Sequence, residues 1–187
     1  ILTGLTPAKH EYQKDRDNWT KAFRKQMTIP KILKKADPNY VTAHFGKWDA
    51  RYDDFTPEEM GYDFSDGLTP NNTGGGKKTL HNNGVDFPFE MGNAWPKAYD
   101  DPKLIFSLTQ RSNDFMEEQT KSNKPFFIQI SHYAVHLAIT YSQKNINKYS
   151  KSEKGQKHFV PEFAAMTEDM DEGIGLILDK VSELGIA

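Results

Sequence analysis

The sequence predicts an α/β fold built on a parallel sheet, and three observations carry that reading. Tyr40 to Phe45 is a β-branched and aromatic run that stops at Gly46, with the length and bounds of a short buried strand. Phe126 to Ile130 is a near-continuous apolar run, as a strand covered on both faces requires. Around these runs lie segments whose apolar residues recur at spacings of three and four, the period of a helix packed on one side.

The elements follow in chain order. Residues 5–27 are polar and charged, with scattered Tyr12, Trp19 and Phe23, and read as a loop followed by an irregular helix. Thr28 caps a short helix that tolerates Pro30 in its first turn, shows Ile29, Ile32 and Leu33 as its apolar face, and breaks at Ala36-Asp37-Pro38-Asn39. After the strand at 40–46, residues 49–101 hold Pro57, Pro70, Pro88, Pro96 and the triplet Gly74-Gly75-Gly76, with little periodicity. A loop of that length in a compact domain serves a site or is disordered. Asp100 or Asp101 before Pro102 starts a helix to about Lys121, with Leu104, Leu108, Arg111, Phe115 and Gln119 on one stripe. Residues 126–131 read as a central strand, and 137–158 as polar loop. From Pro161 on, Phe163, Met166, Met170, Ile174, Ile177, Leu178, Val181 and Leu184 predict a long amphipathic helix ended by Gly185. Its apolar face is expected on the sheet, and its acidic residues in water. Two strands are few for such a domain, so pattern alone predicts an incomplete one.

Composition narrows the function classes. The chain has 187 residues and a formal net charge of -2, so neither nucleic acid nor an anionic membrane is expected as the main partner. Its 12% aromatic content marks a folded chain, and no apolar run approaches the ~18 residues that span a membrane. With no cysteine there is no disulfide or thiol chemistry within these residues. The start at Ile1, with neither Met nor an apolar leader, predicts a processed chain or one that begins inside a longer protein.

Several tempting features have plainer readings. Asp169, Asp171 and Glu172 fit the solvated face of a helix better than a metal site. Gly74-Gly75-Gly76 with Lys77-Lys78 lacks the strand and the Ser of a phosphate loop, and His81 beside it reads as solvated. Asn18-Trp19-Thr20 and Asn71-Asn72-Thr73 match a glycosylation pattern short enough to arise by chance. Asp63, Asp66, Asn71 and Asn72 stand as loop candidates for shaping specificity.

Five segments, in order along the chain, resemble the sulfatase family. Ile1-Leu2-Thr3-Gly4 looks like the tail of its signature, which begins with Cys or Ser, then Pro and Arg, and ends Leu-x-Thr-Gly. Thr28 to Lys35 looks like the helix that precedes its Gly-Lys-Trp-His segment, which His44-Phe45-Gly46-Lys47-Trp48 resembles. Ser131-His132-Tyr133-Ala134-Val135-His136 looks like its strand end with an active-site histidine, and Ala165 to Gly175 is similar to its following long helix.

The resemblance implies an alkaline-phosphatase-like α/β sheet flanked by helices, with 1–187 as an internal part of one catalytic domain and 49–101 as an active-site or substrate loop region. It implies hydrolysis of a sulfate monoester, a small molecule or a sulfated carbohydrate, in a periplasmic or secreted setting. Lys47 would hold a sulfate oxygen, and His136 would do the same or protonate the leaving alcohol. His132 is a candidate second substrate contact, though packing explains it as well. Asp49 departs from the family, where many members carry a histidine, and it stands as a possible substrate-binding position. The formylglycine nucleophile and the ligands of the family's calcium fall outside this chain by the same alignment, so no metal ligand is assigned within it and the chain alone is expected to be inactive. Two other readings stay open: a phosphoryl hydrolase of the same superfamily, and a truncated or degenerate module that binds without turnover.

Overall fold

The computed structural model describes residues 3–4, 24–48, 56–67, 69, 97–136, 139–157 and 160–187. Helix α1 (Ile29–Ala36) starts as its residues predict: Thr28 is the cap and accepts from the Lys31 amide, and Pro30 lies in the first turn. The Thr28 hydroxyl also donates to the Met60 carbonyl at 2.5 Å, tying the helix to the loop after the first strand. The expected apolar face is only partly right, because Ile32 is 51% exposed.

Strand β1 (Val41–Gly46) pairs in parallel with β2 (Phe64–Ser65) on one side and β4 (Phe126–Ser131) on the other. The register with β4 runs from Val41 opposite Phe126 to Gly46 opposite Ser131. Among the described residues β1 is therefore the middle strand, buried along nearly its whole length, while every residue of β4 is half-buried. Residues 126–131 form the expected parallel strand, with β1 as the strand paired to it among the described residues.

Helix α2 (Ile105–Lys121) covers one face of this sheet. Leu104, Leu108 and Phe115 join Ala43, Phe45 and Tyr133 in one core, flanked by Val41, Phe126 and Ile128. The predicted stripe holds, with Gln119 also buried and the Arg111 side chain 10% exposed. The helix start is capped by Asp101, whose carboxylate accepts from the Phe106 amide at 2.8 Å and from the Ser107 hydroxyl.

The last third departs most from expectation. Residues expected as loop contain β5 (Thr140–Tyr141), parallel to β3 (Lys97–Ala98), and α3 (Gln143–Tyr149), capped by Ser142. Helix α4 (Pro161–Glu183) has the predicted extent, and Gly185 follows it at φ +66°. Its phase differs. The buried residues are Ala165, Met166, Asp169 and Gly173, whereas Phe163, Ile174 and Leu178 are 44, 38 and 60% exposed. The physical reason is its neighbour: α4 packs on α2, α3 and β5 rather than on the three-stranded sheet. Gly173 permits the close crossing, since a Cβ there would lie 2.6 Å from Ile105 Cγ2, and its carbonyl accepts from Thr109 Oγ1 at 3.2 Å. Asp169 is fully buried, not solvated; it accepts from Asn145 Nδ2 and from the Ser142 amide, both at 2.8 Å, and so joins α3 to α4. No described helix is long and apolar enough to cross a membrane.

Candidate functional site

The β1–β4 register decides which candidates meet. Gly46 and Ser131 are Cα partners at the ends of two parallel strands, so Lys47 and His132 leave the same edge of the sheet as neighbours. Adjacent strands lie about 4.8 Å apart, which sets the spacing of the two exits. Open parallel sheets place ligands at this edge. The Lys47 amide donates to the Ser131 carbonyl at 2.7 Å, carrying the pairing one residue past the strands.

The sequence around Lys47 is fitted to that approach. Gly46 sits at φ +92°, and a Cβ on it would fall 2.2 Å from the Ser131 carbonyl oxygen. Only glycine satisfies both conditions. The Asp66 carboxylate accepts from the Gly46 amide at 2.7 Å and is ion-paired with Arg111, whose guanidinium lies 4.9 Å above the Phe45 ring. Burial raises the Asp66 pKa to about 6, against the opposing pull of Arg111 and the Gly46 amide. Thr69 lies on the other side, its hydroxyl donating to the Gly46 carbonyl at 2.5 Å.

Beside the exit runs a partly buried polar chain. Tyr62 donates to Gln129 Oε1 at 2.7 Å, the Gln129 amide donates to Ser131 Oγ at 3.3 Å, and Ser131 Oγ lies 3.0 Å from His44 Nε2. His44 is 1% exposed, and its ring meets those of Trp48 and Tyr62 edge-on. Burial lowers its pKa to about 4, so it is neutral at ordinary pH.

The other candidates are placed as follows. His132 is half-buried, and burial lowers its pKa. His136 is exposed in the turn that follows β4, where its amide donates to the Tyr133 carbonyl at 3.1 Å. Asp49 lies outside the described residues. The structure thus brings Lys47 and His132 to one edge, with His136 four residues further along the loop that leaves it. Asp63 and Asp66, expected as specificity residues, instead hold backbone: Asp63 accepts from the Thr42 amide at 2.8 Å. Among the described residues no group of three His, Asp or Glu is placed to hold a metal ion. Sequence reasoning did not find the roles of His44, Thr69 and Arg111. A histidine inside an apolar strand was a usable signal for the first; nothing local distinguishes Thr69.

The family model described as Sulfatase matches residues 1–187. Among solved structures, the chain is similar to Ps i-CgsB at 15% identity and a TM-score of 0.62, over 87% of this chain and 38% of that one. It is similar to Ps i-CgsB in complex with k-i-k-neocarrahexaose at 16% identity and a TM-score of 0.63, with the same coverage. Lipoteichoic acid synthase LtaP from Listeria monocytogenes aligns at 18% identity, with a TM-score of 0.48, over 89% of this chain and 36% of that one. The chain therefore spans 38% of the length of the first two structures. No curated protein matches it. The likeness to the first two shows the fold, an alkaline-phosphatase-like α/β sheet flanked by helices.

Proposed function

Since the chain belongs to the sulfatase family, we propose that the complete protein is a sulfuric ester hydrolase and that residues 1–187 are an internal part of its catalytic domain. The observation that carries this reading is the family match along the whole chain. The exit of Lys47 and His132 on one sheet edge supports it.

In this reading the substrate is a sulfate monoester on a carbohydrate. The neocarrahexaose bound to the structurally similar Ps i-CgsB supports that class. The Lys47 ammonium holds a sulfuryl oxygen, as a compact point charge suited to a tetrahedral oxyanion. His136, exposed beyond β4, holds a second oxygen or gives its proton to the leaving alcohol. His132 contacts the substrate beside Lys47, and Asp49 meets a sugar hydroxyl. In the complete protein a formylglycine and a calcium ion would supply the nucleophile and further charge neutralisation.

The test is hydrolysis by the full-length protein of 4-nitrophenyl sulfate beside 4-nitrophenyl phosphate, then of sulfated oligosaccharides. Preference for the sulfate ester is expected, with Lys47→Ala lowering kcat about 100- to 1,000-fold, as loss of one oxyanion donor does elsewhere. Preference for the phosphate ester would replace this reading with phosphoryl transfer. Absence of turnover on every ester would leave a binding module.

A further inference from the structure

The backbone on both sides of Lys47 is gripped by the short segment that follows β2. The Gly46 amide donates to Asp66 Oδ2 at 2.7 Å, and the Gly46 carbonyl accepts from Thr69 Oγ1 at 2.5 Å. The Trp48 amide donates to the Thr69 carbonyl at 2.8 Å and to its hydroxyl oxygen at 3.1 Å. Between them the Lys47 amide is taken by Ser131. Asp66 and Thr69 are each 2% exposed, and Trp48 is 3% exposed, so these bonds form away from water.

The Thr69 hydroxyl is used twice, as donor to the residue before Lys47 and as acceptor from the residue after it. Only a hydroxyl does both from one atom. Asp66 is in turn fixed by its ion pair with Arg111. With the peptide planes on both sides held, a long flexible lysine keeps only its side-chain torsions to search.

We infer that Thr69 and Asp66 are positioning residues for Lys47, clamping the backbone on either side of it so that the ammonium is presented at the β1–β4 edge. The inference rests on the proposed role of Lys47 as a sulfate-oxygen donor. Its geometric part stands apart from that role.

The experiment uses the full-length protein and the variants Thr69→Val, Thr69→Ser and Asp66→Asn. One arm measures kcat and KM for 4-nitrophenyl sulfate per active site, well below each melting temperature. The other follows amide hydrogen exchange at Gly46, Lys47 and Trp48, with the β4 amides as reference. Thr69→Val, close in shape but without the hydroxyl, is expected to lower kcat/KM at least about tenfold; Thr69→Ser should return it to within about threefold. Thr69→Val should also speed exchange at Lys47 and Trp48 about tenfold or more while β4 keeps its rates. Asp66→Asn keeps an acceptor but loses the charge facing Arg111, and an intermediate loss is expected.

Wild-type kcat/KM in Thr69→Val, whatever its melting temperature, would overturn the inference, because a purely structural residue changes how much enzyme is folded and not what each site does. Wild-type kcat/KM in Asp66→Asn would remove Asp66 from it. If Thr69→Val does not fold, Thr69→Ala is read in the same way. If the wild type hydrolyses no sulfate ester, the functional proposal fails and the exchange arm alone decides: unchanged exchange overturns the clamp, and acceleration confined to these amides supports it.

Discussion

At the exit of β1 the backbone is held from several sides, whereas the face of α4 turned away from α2 and α3 leaves large apolar side chains in the open. Asp66, Thr69 and Ser131 together engage Gly46, Lys47 and Trp48. On α4, Phe163, Ile174 and Leu178 are 44, 38 and 60% exposed. The difference teaches what each region depends on. The exit is set by bonds between chain segments far apart in sequence, and a single added atom breaks it. The helix is set by its length and by one buried line through Ala165, Met166, Asp169 and Gly173, so its exposed side tolerates change.

The largest expected effect follows from Gly46. Gly46→Ala adds a Cβ that would stand 2.2 Å from a backbone carbonyl oxygen, at φ +92°. Neither obstacle is a side chain that can swing aside, so we expect a loss above about 4 kcal/mol or failure to fold, read from the denaturation midpoint. A loss below about 1 kcal/mol would mean that the β1–β4 exit is looser than the clamp requires.

The second tests a place where α4, like the strand exit, is held by bonds between segments far apart in sequence. Asp169→Ala removes the acceptor of Asn145 and of the Ser142 amide in a fully buried site, and about 2–4 kcal/mol should be lost. Asp171→Ala, on the exposed side of the same helix, should stay within about 0.5 kcal/mol. Equal effects would erase the distinction between the two faces.

Acid should act on the strand exit in two opposing senses. The folded pKa of His44, about 4, lies below its ordinary 6.5, so as the pH falls the unfolded chain takes the proton first. Stability from this group is intact above 6.5 and is lost down to about 4, at most by about 3 kcal/mol. Asp66 acts in the opposite sense: its pKa of about 6 lies above its ordinary 3.8, so protonation favours the folded state over that interval. The difference between wild type and His44→Gln in denaturant titrations isolates the histidine. An unchanged acid slope in the variant would show that His44 is not titrating as a buried group.

These contrasts also explain how far the sequence was legible. Both strands of the exit could be read, because a run such as Val41 to Phe45 has no other use for its side chains than burial. That the two strands end at one edge follows from their being parallel, but the register sets His132 beside Lys47, with the expected catalytic His136 four residues further on. The phase of α4 was misread because apolar spacing reports which residues avoid water, not which neighbour covers them. The joint was made by Gly173 and Asp169, a missing side chain and a carboxylate, which carry no hydrophobic signal. Helix α3 was hidden by its polar composition, since its stability comes from the Ser142 cap and the bond from Asn145 to Asp169. Thr69 was invisible for a related reason: its partners are backbone atoms more than twenty residues away.

A milder test of the revised phase is Ile177→Ala. A position facing the core would cost about 2–5 kcal/mol, but Ile177 is half-buried and about 1 kcal/mol is expected. A cost above about 3 kcal/mol would restore the original phase at this end of the helix.

The smallest effect comes from two glycines two positions apart on α4, which carry the comparison to a single atom. At Gly173 a Cβ would meet Ile105 Cγ2 at 2.6 Å and Thr109 Oγ1 at 3.0 Å, whereas at Gly175 nothing among the described residues comes within 4 Å. Both lie inside the helix, where glycine costs roughly 0.5–1 kcal/mol relative to alanine through the freedom of the unfolded chain. Gly175→Ala should therefore raise stability by about that amount, and the same substitution at Gly173 should lower it, because α2 must move away before the methyl fits. Paired denaturation curves of the two variants give the sign directly. A stabilised Gly173→Ala would mean that α2 and α4 do not cross there. A destabilised Gly175→Ala would mean that this face of α4 is covered by chain beyond the described residues, and the contrast between the firmly held exit and the open helix would need to be redrawn around that cover.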